Sequence, residues 1–210
     1  MSTNPSGAVA APDRRASSGL EPRALAGLAL GYVVCVALLA VEPDRAFGLP
    51  AHPLLVHLPV VLIPCLVLAT VALVVRPAWR ARYGLALGGL AVVALAATVL
   101  AAGAGEQLLA HERDAGGLVH EHAEAADTLR VLTFALTAAI LLLLARDWRV
   151  RRGDAAGGRA VATVLAVVAL VLSAGAGFFV VRTGHLGAKA TWSQEGGSGD
   201  DDGGGGERGE

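Results

Sequence analysis

The sequence predicts an all-α integral membrane protein, a bundle of five transmembrane helices. Three observations predict it. Hydrophobic residues make up 54% of the chain and charged ones only 17%, below the ~25% usual in soluble domains. The apolar residues, mostly Ala, Val and Leu, come in blocks and do not alternate with polar ones. Five of these blocks approach or exceed the roughly 20 residues that a helix needs to cross a bilayer core. Inside lipid the backbone must satisfy its own hydrogen bonds, which favours helix over open strand. Long core helices of a soluble bundle would carry a polar stripe, and these carry none.

Residues 1–23, rich in Ser, Pro, Ala and Arg, read as a disordered tail. Ala24–Val41 is the first and weakest span. It reads as a retained N-terminal anchor, because its apolar run outlasts a signal-peptide core; "AFG" (Ala46–Gly48) would be the cleavage site otherwise. The next spans are Leu54–Val75, Gly84–Ala104, Leu129–Ala145 and Ala160–Val181, the fourth lengthened outward by Leu118–Asp127. Residues 193–210, which include "EGGSGDDDGGGGERGE", form a disordered acidic, Gly-rich tail. Cys35 and Cys65 fall inside spans as small apolar core residues, and no disulfide framework is implied. "GLALG" occurs twice, with Gly27/Gly31 and Gly84/Gly88, a spacing that lets helices approach closely in lipid.

Orientation follows from the basic residues near the membrane ends. The segments before span one, after span two and after span four share one side. Together they hold 11 of the 17 Lys and Arg, while the other side holds 14 of the 18 Asp and Glu. The N-terminus is therefore expected inside and the C-terminus outside. Trp79 and Trp148 fall at the inner boundary and Trp192 near the outer one, as an aromatic belt would place them. All six histidines, His52, His57, His111, His120, His122 and His185, then fall outside. Histidine is the usual metal ligand and titrates near neutral pH.

"HPLLVHLP" (His52–Pro59) opens span two. Pro53 suits a first helical turn, which puts His52 at or before the N-cap and His57 a turn inside. Pro59 and Pro64 free the carbonyls of Leu55 and Val60 and kink the helix. An ionisable side chain at that depth is a functional candidate, against the plain reading of an interfacial histidine bonded to a carbonyl or water. In the outer loop, Gly116–Gly117 is a turn. His120, Glu124 and Asp127 share a helix face at i, i+4 and i+7 while His122 points elsewhere; Glu106 and His111 cap span three. Two histidines with carboxylates suit a first-row divalent ion, although no HExxH or CxxC spacing is present, and a solvated acidic loop is the plain reading. In "RTGHLGAKATW", Gly184 and Gly187 bracket His185, so the backbone there can turn sharply or approach a ligand. Arg182 suits an outer carboxylate or a propionate-like group, or snorkels.

"HPLLVHLP" resembles the HPxxVHFP hallmark of an uncharacterised bacterial membrane family, domain of unknown function 2231. His52, Pro53, His57 and Pro59 carry the match. "TGHLGA" stands where the family closes on a GG-x-LVY type motif, with His185 at a glycine-type position and no Tyr. The resemblance implies a four-helix membrane domain over residues 51–192, with the helix at 24–41 added, in the bacterial inner membrane. No established activity comes with it; members sometimes occur beside haem or electron-transfer domains.

The leading functional expectation is an outer-face redox or metal site. In one form a b-type haem takes His57 as one axial ligand and His120 or His185, or else His111, as the other, with Arg182 beside it. In the other a divalent transition metal is held by His52, His111, His120, His122, Glu124 and His185. The expected partners are the lipid bilayer and an electron-transfer partner or membrane complex, with no nucleic acid. The competing expectation is a non-catalytic accessory or scaffold subunit whose histidines are structural or sense pH. A transporter is disfavoured by the lack of mid-span carboxylates and of an inverted repeat, and a hydrolase by the lack of a nucleophile–base–orienter set.

Overall fold

A computed structural model describes residues 21–111, 116–154 and 158–197. Most of the two expected disordered tails, and Glu112–Ala115 of the outer loop, lie outside these residues. The described chain forms α1 (Pro22–Ala37, closed by a 3-10 turn at Leu38–Ala40), a two-strand hairpin β1 (Arg45–Ala46) and β2 (Leu49–Pro50), α2 (Ala51–Leu55), α3 (His57–Val75), α4 (Pro77–His111), α5 (Gly117–Arg151) and α6 (Gly158–Gly197). Five helical stretches are long and apolar enough to cross a membrane.

These helices outrun the apolar blocks. α4 and α5 each have 35 residues and α6 has 40. At 1.5 Å per residue that is about 52 and 60 Å, against about 30 Å of hydrocarbon. The excess falls mostly at the end that carries the histidines, the His end; the other is the Arg-rich end. "RTGHLGAKATW", whose glycines allow either a sharp turn or a close approach, continues α6 as helix. Leu186 is buried there, so the segment has a face to pack and no need to turn.

α4 is the central helix: 56% of its apolar window is buried, against 6% for α1. Its inward residues are small, including Ala91, Ala94, Ala97, Thr98 and Ala101. Ala91 and Ala94 share one core with Ile63 and Leu66 from α3 and Leu136, Ile140 and Leu144 from α5, which Ala169 and Ala176 of α6 complete. The outward faces stay apolar, as at Val164, Val167, Val171 and Phe178 of α6, which is what lipid-facing helices require.

Three sequence features explain the local geometry. Pro59 has no N–H for the Leu55 carbonyl, and the helix is interrupted at Val56, between α2 and α3. The positive φ of Phe47 (54°) and Gly48 (80°) gives the hairpin tip the handedness that a two-residue connection prefers. The repeated glycine motif is partly used: a Cβ on Gly88 would fall 2.6 Å from Leu28 Cδ1, and one on Gly31 would fall 2.9 Å from Val92 Cγ1. α1 thus docks on α4, with Tyr32 edge-on to Phe134 of α5 at 5.8 Å. Cys35 is buried in this contact, but Cys65 is exposed on the outer face of α3. The expected core role holds for the first cysteine only.

Candidate functional site

The His end is built on glycine notches in two helices. In α4, "AAGAG" (Ala101–Gly105) leaves a groove. A Cβ on Gly103 would fall 2.6 Å from the carbonyl oxygen of Val41, so the connection from α1 crosses there. α2 follows, and its His52 ring lies on Gly105, where a Cβ would fall 3.0 Å from both Cε1 and Nδ1. His52 Nδ1 donates to the Ala101 carbonyl at 2.9 Å. His52 is therefore half-buried within α2, as its second residue, two past the N-cap Pro50.

The second notch repeats the first. His122, near the start of α5, donates Nδ1–H to the Thr183 carbonyl of α6 at 2.9 Å. Its ring lies on Gly187, where a Cβ would fall 3.1 Å from Cε1 and 3.2 Å from Nδ1. In both cases the imidazole bonds carbonyl i and covers the glycine at i+4 of the neighbouring helix. The two rings meet with centroids 6.1 Å apart and planes at 84°. A carbonyl can only accept, so each bond fixes the proton on Nδ1 and leaves the Nε2 lone pair free. Carbonyl bonds of this kind orient imidazoles that ligate metals. The buried Thr183 hydroxyl has no partner among the described residues.

The remaining expected residues lie elsewhere. His57, His120, His185 and Arg182 are exposed, and Arg182 sits 5.9 Å over the Phe179 ring. His111 caps α4, with Nδ1 bonded at 2.7 Å to the Gln107 carbonyl. Glu124 is exposed, on the face it shares with His120 and Asp127. Glu106 instead joins Asp127 in holding Arg130, at 2.8 Å each. Among the described residues no group of three or more His, Cys, Asp or Glu is placed to hold one ion. All six histidines do fall at the His end of the helices, but the two that meet are His52 and His122.

His122 does point away from the face of His120, Glu124 and Asp127, and the direction it takes is inward, against α6. It lies in phase with Ala125, Leu129 and Leu136, the buried stripe of α5, and that periodicity was the available signal. His52 faces inward because the break at Val56 sets the direction of α2.

The DUF2231 profile, described as a predicted membrane protein, matches residues 48–200. The chain belongs to this family. The match takes in α2–α6 and both histidines of the pair, while α1 precedes it. Neither a curated protein nor a solved structure matches the chain. The DUF2231 region is thus the four-span part, counting α2 and α3 as one span, and the His52–His122 pair sits at its end.

Proposed function

We propose that this DUF2231 protein is a multi-pass protein of the bacterial inner membrane that holds a redox-active metal centre between His52 and His122 for electron transfer. The observation that supports the reading is the paired imidazoles, 6.1 Å apart, each anchored through Nδ1. That separation suits one ion ligated by both rings at about 2.0–2.1 Å each. Two protein donors fall short of the three or four that zinc takes from a protein. A b-type haem brings four nitrogens of its own and asks the protein for two axial ligands, so haem suits this donor set better than a bare divalent ion. His52 and His122 replace His57 with His120 or His185 as the proposed ligands. In this reading the positive-inside pattern places the pair on the extracytoplasmic side.

The competing accessory reading has one observation in its favour: both rings already tie helices together through a carbonyl and a glycine. Optical spectra and metal analysis of protein purified in detergent, from cells supplied with haem and metals, separate the two. A Soret band that is lost in His52→Ala and His122→Ala but kept in His57→Ala and His185→Ala supports the haem form. Bound Cu, Zn or Ni with the same dependence supports the bare-metal form. A colourless, metal-free protein from those cells favours the accessory reading.

A further inference from the structure

The Arg-rich end carries a second feature, unrelated to the histidines. Where α3 passes into α4, the side chains of Leu73, Ala78, Trp79, Arg82 and Tyr83 line an open recess of about 520 Å³. Three arginines flank this corner, and they are used differently. Arg80 turns inward and is satisfied: Nε lies 2.8 Å from Asp147 Oδ2, and Nη1 donates to the Leu73 carbonyl. Arg76 and Arg82 are exposed and form no ion pair among the described residues. Each lies over an aromatic face instead, Arg76 5.2 Å from the Trp79 ring and Arg82 5.5 Å from the Tyr83 ring. The two rings meet edge-on at 6.5 Å. The result is a cation–ring–ring–cation row beside an apolar wall, at the boundary of the apolar span.

We infer that this recess binds the headgroup of an anionic phospholipid. The phosphate would sit on the Arg82 guanidinium, which lines the recess and presents forked donors to phosphate oxygens, while Arg76 over Trp79 adds a second positive charge at the rim. The glycerol backbone would rest on the Trp79 and Tyr83 rings, which suit the headgroup level. The acyl chains would follow Val75, Val71 and Leu68, the exposed stripe of α3. Basic recesses between spans at the membrane surface are suited to anionic headgroups. Charge complementarity decides for lipid over a protein partner: the two unpaired cations meet an apolar wall at membrane depth, where a soluble acidic segment would have to enter the headgroup layer.

The test uses the full chain in a neutral detergent, titrated with phosphatidylglycerol, phosphatidylcholine or inorganic phosphate and followed by native mass spectrometry and thermal unfolding. Phosphatidylglycerol is expected to bind with defined stoichiometry and raise the melting temperature, while the other two do neither. Arg76→Gln and Arg82→Gln are expected to weaken binding about fivefold each, with lipid-free melting unchanged. Arg149→Gln/Arg151→Gln, which removes two charges outside the recess, one more than either single variant, is expected to leave binding intact. Equal binding of phosphatidylcholine, a full response to inorganic phosphate alone, or an equal loss in the Arg149/Arg151 variant would each overturn the assignment.

Discussion

Gly105 and Gly187 matter because they have no side chain. Each holds an imidazole at a distance that a methyl group would invade, so helix propensity and packing pull in opposite directions at these positions. Alanine would favour the helix by up to about 1 kcal/mol, but the ring must move to admit it. Gly105→Ala and Gly187→Ala are expected to weaken the Nδ1–carbonyl bonds, read as a change in the imidazole ¹⁵N shifts of His52 and His122 respectively. Gly184→Ala is the contrast. Nothing lies within 4 Å of its added methyl, so it should leave both shifts unchanged and melt at the same or a higher temperature. At this scale the sequence was half legible. Six histidines at one end could be counted from the chain, but their inward or outward direction depends on helical phase. The glycines at 184 and 187 looked like turn chemistry, whereas Gly187 is the seat of a ring.

The five apolar blocks could be read directly as helices, because a 20-residue run without charge has few other fates in a bilayer. Their ends were less legible. Hydropathy falls where a helix leaves the lipid, yet the backbone goes on hydrogen bonding: the outward start of α5 at Gly117 was legible from Leu118–Asp127, but the run of α6 on to Gly197, past the apolar block that ends at Val181, was not. The interruption at Val56 follows from Pro59, whose effect on the Leu55 carbonyl was foreseeable; its consequence for His52 was not. Pro59→Ala would restore the missing bond and join α2 to α3 as one straight helix. That change should swing His52 off Ala101 and lower occupancy of the proposed centre, measured by the same optical and metal assays. α1 depends on its own fit. Gly88→Val would drive a branched side chain into Leu28, an overpacking of about 1–3 kcal/mol. In a Cys65→Ser background, this variant should expose buried Cys35 to maleimide while leaving the His52–His122 assays unchanged.

For the whole molecule, the two ends are stabilised differently. The Arg-rich end contains an ion pair with little access to water: the side chains of Arg80 and Asp147 are 9% and 14% exposed, and Arg146 reaches the same carboxylate at 3.2 Å. Removing one member of such a pair leaves a charge stranded, at a cost of about 3–5 kcal/mol. Asp147→Leu, which takes the carboxylate from both Arg80 and Arg146, is therefore expected to be among the most damaging single changes, lowering the thermal midpoint in detergent and the yield. Adding Arg80→Met to Asp147→Leu should recover part of the loss, since the more buried of the two stranded charges is then gone.

The extended helices of the His end have a consequence for access. Gly117–Thr128 of α5, twelve residues ahead of its apolar run, amount to about 18 Å of rigid rod, and α6 rises beside them past Arg182. His122 rides on this mast, while His52 reaches it from the root of α2. Under the proposed function, a water-soluble redox carrier would reach the pair without wading into the headgroups, docking against a helical tower whose exposed side bears His120, Glu124 and Asp127.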